Sequence, residues 1–259
     1  MTRKTDMDAI NTQNTFTDAE FLTEFRIVTE KNGLSELVAG KEASFLSLAR
    51  MMLEFNSHTN ITAITDLPGL ILSHFCDSLT VAGMLPQKAA VADIGCGGGF
   101  PTLPIAIARP DVTVTAIDST TKKLAFVGDA ARGLGLGNVL PQCMRAEDGS
   151  HSAIYREQFD VVTARAVSAL PVLAELCLPY LKTSGLFCAM KGPRGAEELA
   201  EAGNAIKILG GTVLETKKVV LKGADGQAPL ERMLILVKKS SPTPDKYPRA
   251  YGKIKNKPI

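Results

Sequence analysis

The amino-acid sequence predicts an α/β fold, in which a mostly parallel sheet is covered by helices on both faces and ends in an antiparallel hairpin. Three observations support this prediction. Short apolar, β-branched runs recur at regular intervals after Pro86, amphipathic helical patterns come before it, and the last two strand-like runs leave no room for a helix between them. We therefore expect a small N-terminal helical cap and a larger α/β core, folded as a single integrated domain.

The N-terminal part of the chain shows helical patterns only. Residues 1–15 are polar and aperiodic, which predicts a disordered tail. Thr17 and Glu20 then form the pattern of a capping box, in which the two side chains cap the first turn of a helix. A second amphipathic helix follows, and a third is predicted over residues 70–85. Residues 16–86 are thus predicted to form the helical cap.

Residues 87–239 alternate between strand-like and helix-length segments. The first five strand-like runs lie 22 to 26 residues apart, which leaves room for one helix in each crossover, and they are centred near Val91, Val114, Val139, Val161 and Phe187. Two further runs, residues 211–221 and 233–237, are joined by a short connection that contains glycine, and they predict the terminal hairpin. In such a sheet, ligands bind beyond the carboxyl ends of the parallel strands.

The composition excludes several classes of protein. With 259 residues, 45% of them apolar and 22% charged, the chain matches ordinary globular proteins. Its five cysteines are widely spaced and form no CxxC pair, so neither a disulfide framework nor a metal site is predicted. No apolar run is long enough to span a membrane, and the N-terminus lacks the apolar core of a signal peptide. We therefore expect a cytoplasmic protein that binds neither metal nor membrane.

Positive charge is concentrated at the C-terminus. The formal net charge is only +2, but residues 238–259 carry seven Lys or Arg against one Asp, so this stretch contributes +6 and the remainder −4. Residues 240–259 are predicted to form a basic tail without regular structure, because prolines interrupt it. Basic side chains on such a segment suit RNA phosphates, and Tyr247 and Tyr251 suit stacking on unpaired bases. The alternative is an extension that only improves solubility.

The most informative motif follows the first predicted strand, where Asp93 precedes a cluster of glycines. Gly95, Gly97 and Gly99 permit a tight turn and a close approach of ligand to backbone. The dinucleotide-binding fingerprint requires a glycine at the position of Phe100, so a nicotinamide-dependent reductase is disfavoured. The observed spacing resembles motif I of methyltransferases that use S-adenosyl-L-methionine (AdoMet). The alternative is a purely structural glycine turn.

Further polar residues follow the next two strands. Asp118 ends the second strand, 23 residues after Gly95, close to the spacing of about 20 at which an acidic residue binds a ribose. Its carboxylate can accept hydrogen bonds from both ribose hydroxyls, although an isolated Asp at this point is also a common helix cap. Arg145, Ala146 and Glu147 follow the third strand, at the edge where such folds usually hold an adenine.

Several segments, in order and spacing, resemble the RsmG (GidB) family of bacterial 16S ribosomal RNA methyltransferases. The similarity covers about residues 40–237, and its segments are Asn60–Ile64, His74–Leu79, Asp93–Pro104, Leu134–Val139, Arg145–Glu147, Arg165–Ala166 and Met190–Gly192. The resemblance implies a class I AdoMet-dependent methyltransferase fold, which is Rossmann-like, with AdoMet as the cofactor. Cys96 and Thr102 depart from the family pattern, in which Ser or Thr and Gly respectively are usual.

The resemblance also implies a set of cofactor-binding residues. They are Gly95 and Phe100 at the methionine end, Asp118 at the ribose, Ala146 and Glu147 at the adenine, and Gly97 and Arg165 elsewhere in the pocket. For RNA, the expected contacts are Lys191, Arg194, Lys246 and Arg249. His74 either shapes the pocket or lies on a helix face.

The activity that the resemblance implies is transfer of a methyl group to N7 of a guanine in 16S ribosomal RNA, either free or within an assembling small subunit. Guanine N7 carries no proton, so the reaction requires no general base, and no catalytic residue is predicted. Two alternatives stay open: an AdoMet-dependent methyltransferase that acts on another RNA, and a non-catalytic RNA-binding module on the same fold.

Overall fold

A computed structural model describes residues 16–259, so the predicted disordered tail, residues 1–15, lies outside the described part. Seven strands in this part form one sheet: β1 (Ala90–Ile94), β2 (Thr113–Asp118), β3 (Val139–Cys143), β4 (Phe159–Arg165), β5 (Leu181–Lys191), β6 (Gly211–Leu221) and β7 (Leu230–Lys239). Their order is β3-β2-β1-β4-β5-β7-β6. Strands β1 to β5 pair in parallel, and β7 lies antiparallel between β5 and β6. The predicted class I methyltransferase fold is confirmed.

The N-terminal cap is helical, as predicted. Its helices are α1 (Asp18–Lys31), α2 (Ser35–Val38), α3 (Glu42–His58), α4 (Leu67–Gly69) and α5 (Asp77–Ala82). A π-helical stretch, Leu70–Cys76, joins α4 to α5, so the third predicted helix is continuous from residue 67 to residue 82. At the start of α1, the backbone N–H of Glu20 donates to Thr17 Oγ1 at 3.2 Å, and the backbone N–H of Thr17 donates to Glu20 Oε2 at 2.6 Å. The predicted capping box is therefore confirmed.

The remaining helices flank the sheet or follow it. They are α6 (Thr102–Ala108), α7 (Thr121–Gly133), α8 (Ala146–Gly149), α9 (Leu170–Cys177), α10 (Gly195–Ile208) and α11 (Tyr251–Asn256). Val91 and Ala92, which are neighbours on β1, belong to two different buried clusters. Since successive side chains of a strand point to opposite faces, each cluster covers one face of the sheet. The cap, α6 and α7 pack on one face, and α9, α10 and α11 pack on the other.

The cap contributes to the same apolar core as the sheet. Phe75, in the π-helical stretch, lies 6.2 Å from Phe100, measured between ring centroids. Arg109, which follows α6, donates to the carbonyl oxygens of Ala82 and Leu85 at 2.9 Å each. The first of these contacts brings the π-helical stretch next to Phe100, in the turn that follows β1.

The C-terminal segment differs from the prediction. The expectation that its prolines exclude regular structure is wrong for residues 251–256, which form α11. Ile254 of this helix is fully buried against the cluster that contains α9. In the described part of the chain, the structure contains no helix with the length and apolar character needed to cross a membrane.

Candidate active site

The glycine turn between β1 and α6 depends on backbone angles that favour glycine. Gly95 and Gly97 have φ angles of 71° and 55°, in the left-handed region. A Cβ atom on Gly95 would lie 2.5 Å from Cγ2 of Val167, in the loop after β4, whereas a Cβ on Gly97 would have only the carbonyl oxygen of Gly95 nearby, at 4.0 Å. Gly95 therefore permits close packing against Val167, and Gly97 leaves open space in front of the backbone.

This open space belongs to a cavity of about 350 Å³, which we call the glycine chamber. It brings together five of the seven predicted cofactor residues, namely Gly95, Gly97, Phe100, Asp118 and Arg165. Sequence reasoning did not assign a role here to Ile61, Thr62, Lys123 and Val167, which also line it. Ile61 and Thr62 belong to the loop before α4, so the cap supplies one wall of the chamber.

Asp118 holds two backbone segments together at the carboxyl end of β2. Its carboxylate accepts hydrogen bonds from the backbone N–H groups of Gly97, at 2.9 Å, and Thr120, at 2.8 Å. These bonds fix the glycine turn relative to the start of α7. A carboxylate has about four lone-pair positions, so the half-buried Asp118 keeps acceptor capacity for a ligand in the chamber.

Arg165 is held in the chamber by the cap. Its guanidinium donates to Asp77 Oδ2 at 3.0 Å and to the carbonyl oxygen of Ser73 at 2.8 Å. Asp77, at the start of α5, is fully buried and also accepts from Arg232 Nε of β7 at 3.1 Å. The sequence placed Asp77 within a family segment but gave it no role. It links the cap, β4 and β7 behind the chamber.

His74 lies in the same network and is neutral. Arg165 Nη2 lies 3.3 Å from His74 Nδ1, and Thr62 Oγ1 lies 2.9 Å from His74 Nε2. A guanidinium can only donate, so Nδ1 accepts and Nε2 carries the hydrogen that Thr62 receives. Burial, together with the nearby charge of Arg165, lowers the pKa of His74 to about 3. The imidazole also stacks on Phe100, with ring centroids 4.5 Å apart.

Asp93, at the carboxyl end of β1, is fully buried beneath the glycine turn. Its carboxylate accepts from Thr102 Oγ1 at 2.6 Å and from Thr163 Oγ1 at 3.1 Å. Burial raises the pKa of this carboxyl to about 6, although both hydroxyls and the charge of Arg165 act in the opposite direction. Thr102, one of the two departures from the family pattern, therefore has a defined partner.

A second cavity, of about 240 Å³, adjoins the glycine chamber, and we call it the Glu147 chamber. The two cavities share Gly95, Asp118 and Val167. The predicted adenine residues Ala146 and Glu147 line the second one. Glu147 is buried and accepts from Arg145 Nε at 2.7 Å, while Ala146 is fixed through its carbonyl oxygen, which accepts from Tyr180 at 2.7 Å.

The four residues predicted to contact RNA fall into two groups, one held in ion pairs inside the protein and one exposed to solvent. Lys191 is buried and pairs with Glu198 at 2.7 Å, and Arg249 pairs with the fully buried Glu175 at 2.7 Å. Their charges are therefore neutralised within the protein. Arg194 and Lys246 are exposed. No group of His, Cys, Asp and Glu residues that could hold a metal ion occurs among residues 16–259.

Comparison with known proteins gives a consistent result. The family described as GidB, rRNA small subunit methyltransferase G, matches residues 41–227. "Ribosomal RNA small subunit methyltransferase G" of Lactobacillus delbrueckii subsp. bulgaricus is 43% identical over 223 residues, which cover 85% of this chain and 92% of the relative. The protein of the same name from Halalkalibacterium halodurans is 40% identical over 240 residues, covering 92% and 99%.

A solved structure supports the fold assignment. The structure of a transferase from Pyrococcus horikoshii has a TM-score of 0.50 and 16% sequence identity, and the match covers 64% of this chain and 63% of that one. At this identity the likeness concerns the fold alone.

Proposed function

The chain belongs to the family of rRNA small subunit methyltransferase G (GidB), and we propose that it methylates N7 of a guanine in 16S ribosomal RNA. It is an AdoMet-dependent rRNA methyltransferase. The base, the atom that receives the methyl group and the manner of its transfer go beyond the family assignment and are proposed here.

The residues present fit AdoMet. The open space at Gly97 and the remaining acceptor capacity of Asp118 suit a ligand with a ribose, and the adjoining Glu147 chamber suits its base. When bound, AdoMet supplies a methyl group carried on a sulfonium sulfur. We assign the methionine part to the glycine chamber, with Gly95, Gly97, Phe100 and Arg165, and the adenine to Ala146 and Glu147.

The observation that carries the N7 proposal is that no side chain lining the glycine chamber is arranged to remove a proton. His74 uses both ring nitrogens in hydrogen bonds, and its pKa is lowered to about 3. Burial raises the pKa of the Cys96 thiol, so the thiol stays protonated. Asp118 accepts from two backbone amides, and we assign its remaining acceptor positions to the ribose. Guanine N7 has a free lone pair and needs no base, whereas an exocyclic amine or a ring carbon must lose a proton.

The protein then accelerates the reaction by aligning the reacting groups and by stabilising the charge that moves between them. We propose in-line attack by N7 on the methyl carbon, in which a positive charge passes from sulfur to base. The rigid hydrogen-bonded walls formed by Asp77, His74 and Arg165 keep the reacting groups aligned, which is the main source of rate when no proton is transferred.

The substrate is 16S ribosomal RNA or an assembling small subunit, and the place of action is the cytoplasm. The exposed cations Arg194 and Lys246 and the half-buried chamber residue Lys123 supply sites for phosphates. Lys191 and Arg249 would contribute mainly by keeping this surface folded, because their charges are paired inside the protein.

The experiment is methylation with AdoMet carrying a labelled methyl group, using small subunits and naked 16S RNA from cells that lack the gene. The RNA is digested to nucleosides, which are separated. We expect the label in 7-methylguanosine. Label in a different nucleoside would overturn the N7 assignment. No label with either substrate, from a protein shown to bind AdoMet, would overturn the assignment of 16S ribosomal RNA as the substrate.

A further inference from the structure

The C-terminal segment, residues 243–259, is packed against the core. The fully buried carboxylate of Glu175 on α9 accepts hydrogen bonds from the backbone N–H of Arg249 at 2.8 Å and from its Nη2 at 2.7 Å. Arg156 donates to the carbonyl oxygens of Thr243 at 2.8 Å and of Tyr247 at 3.0 Å. This arrangement is unlike a freely moving basic tail, and it fixes the start of α11.

Tyr251, the first residue of α11, is directed by this packing to the Glu147 chamber. It is a lining residue of that cavity, together with Ala146 and Glu147. The guanidinium of Arg145 lies 4.7 Å from the centroid of the Tyr251 ring, and the same guanidinium donates to Glu147 at 2.7 Å. The ring is half-buried, so part of its surface is left for a ligand.

We propose that Tyr251 is a cofactor-binding residue, which forms one wall of the adenine site and brings the C-terminal segment into the AdoMet pocket. An aromatic ring offers a flat apolar surface on which a purine can stack, and such stacking contributes roughly 1 to 3 kcal/mol per base. Arg145 lies against the ring and is tied to Glu147, so it limits the directions in which the ring can turn.

This assignment changes the function expected of the tail. The sequence suggested that Tyr251 stacks on RNA bases and that the cofactor residues end at Arg165. In this proposal one side of the segment contacts the cofactor, while its exposed lysines, Lys253 and Lys255 among them, face solvent. Loss of the segment is therefore expected to weaken AdoMet binding as well as RNA binding.

The test measures binding of S-adenosylhomocysteine, the demethylated product of AdoMet, by calorimetry without RNA. Tyr251→Leu keeps apolar volume but removes the aromatic ring, and we expect about tenfold weaker binding, which corresponds to ~1.4 kcal/mol. Tyr251→Phe keeps the ring and is expected to bind within twofold of the wild type. Asn256→Ala, an exposed position on the same helix but outside the chamber lining, is the matched control and is expected to leave the affinity for S-adenosylhomocysteine unchanged.

Two results would overturn the proposal: unchanged affinity in Tyr251→Leu, or the same loss in Tyr251→Phe as in Tyr251→Leu. 5′-Methylthioadenosine, which keeps the adenosine but lacks the amino-acid part, should lose the same factor as S-adenosylhomocysteine. A loss confined to the longer ligand would place Tyr251 away from the adenine and would also contradict the proposal.

A fluorescence experiment gives an independent readout. The chain contains no tryptophan, so Tyr251→Trp introduces a single one at the chamber wall. We expect its emission to be quenched on addition of S-adenosylhomocysteine, because a stacked purine quenches indole. The control Phe55→Trp, in the cap, should show no quenching. Unchanged emission in the Tyr251→Trp variant, at a ligand concentration that calorimetry shows to be saturating, would overturn the assignment.

Discussion

The glycine chamber and the Glu147 chamber adjoin each other but are stabilised in different ways. Behind the glycine chamber, the buried carboxylate of Asp77 binds two arginines, and the surrounding polar groups are tied together through His74. One wall of the Glu147 chamber is Tyr251, which lies on the short C-terminal helix α11. The ion pair between Arg249 and Glu175 holds the segment that leads into this helix. The first chamber is therefore part of the folded core, whereas the second depends on a segment that can be weakened separately.

The largest effect is expected from closing the glycine chamber. In Gly95→Val the new side chain meets Val167, and a φ angle of 71° strains any β-branched residue. We expect no measurable AdoMet binding in a protein that is still folded. The control is Gly137→Val, at an exposed glycine whose Cβ would have no neighbour within 4 Å. Unchanged affinity in a folded Gly95→Val variant would contradict the cofactor assignment.

The second prediction weakens the other chamber alone. Arg249→Met leaves the fully buried Glu175 carboxylate without its charged partner, and breaking a buried ion pair in this way costs about 3 to 5 kcal/mol in free energy of unfolding. Adding Glu175→Gln should recover part of the loss. Urea unfolding measures both, with the exposed Lys257→Met as the control. A loss below ~1 kcal/mol in Arg249→Met would show that the C-terminal segment does not depend on this pair.

The third prediction concerns Asp118, which both chambers share. Hydrogen bonds to a charged group contribute ~1.5 to 3 kcal/mol each, so Asp118→Ala should weaken AdoMet binding at least tenfold. Calorimetry gives the affinity directly. A change of less than twofold would mean that the carboxylate serves only to hold the backbone amides of Gly97 and Thr120.

The fourth prediction uses pH to weaken the glycine chamber. The pKa of His74 is lowered to about 3 in the folded protein, so the unfolded chain binds the proton more tightly. The stabilisation of the folded state by the neutral imidazole is fully present above the pKa of the unfolded chain, near ~6.5. It is lost as the pH falls towards the pKa of His74 in the folded protein. Between pH 8 and pH 5.5, this amounts to ~1.4 kcal/mol.

Asp93 acts in the opposite direction, since its raised pKa of about 6 adds stability as pH falls. The contribution of His74 is therefore measured as the difference in free energy of unfolding between the wild type and His74→Gln. Chemical unfolding at several pH values gives this difference. The variant should lose less stability than the wild type below pH 6.5. Parallel curves for the two proteins would contradict the account of a buried neutral imidazole.

The smallest effect is expected on the outer side of the C-terminal segment. Lys246, Lys253, Lys255 and Lys257 are exposed, and replacing all four by Ser should reduce the salt dependence of RNA binding. If three of them bind phosphates, the slope becomes shallower by about 2, at ~0.7 per contact on single strands. Affinity for S-adenosylhomocysteine should not change, because none of the four lines either chamber. An unaltered slope would show that these lysines do not bind RNA.

The sequence predicted the sheet and the part of the glycine chamber that is built from strand ends, because the signals there are local. β-Branched runs mark each strand, and the glycines and Asp118 lie at strand ends, where the parallel topology brings them together. Asp77 and Arg165 are 88 residues apart, and their contact exists only once the cap packs on the core. Sequence alone also does not distinguish an exposed cation from a paired one, as Lys191 and Arg249 show.

The most direct test of the two-chamber pocket is the structure of the complex with S-adenosylhomocysteine. We predict the amino-acid part beside Gly97 in the glycine chamber, the ribose hydroxyls within hydrogen-bond distance of the Asp118 carboxylate, and the adenine between Glu147 and the ring of Tyr251. An adenine bound in the glycine chamber, or a ligand that leaves the Glu147 chamber empty, would contradict the account.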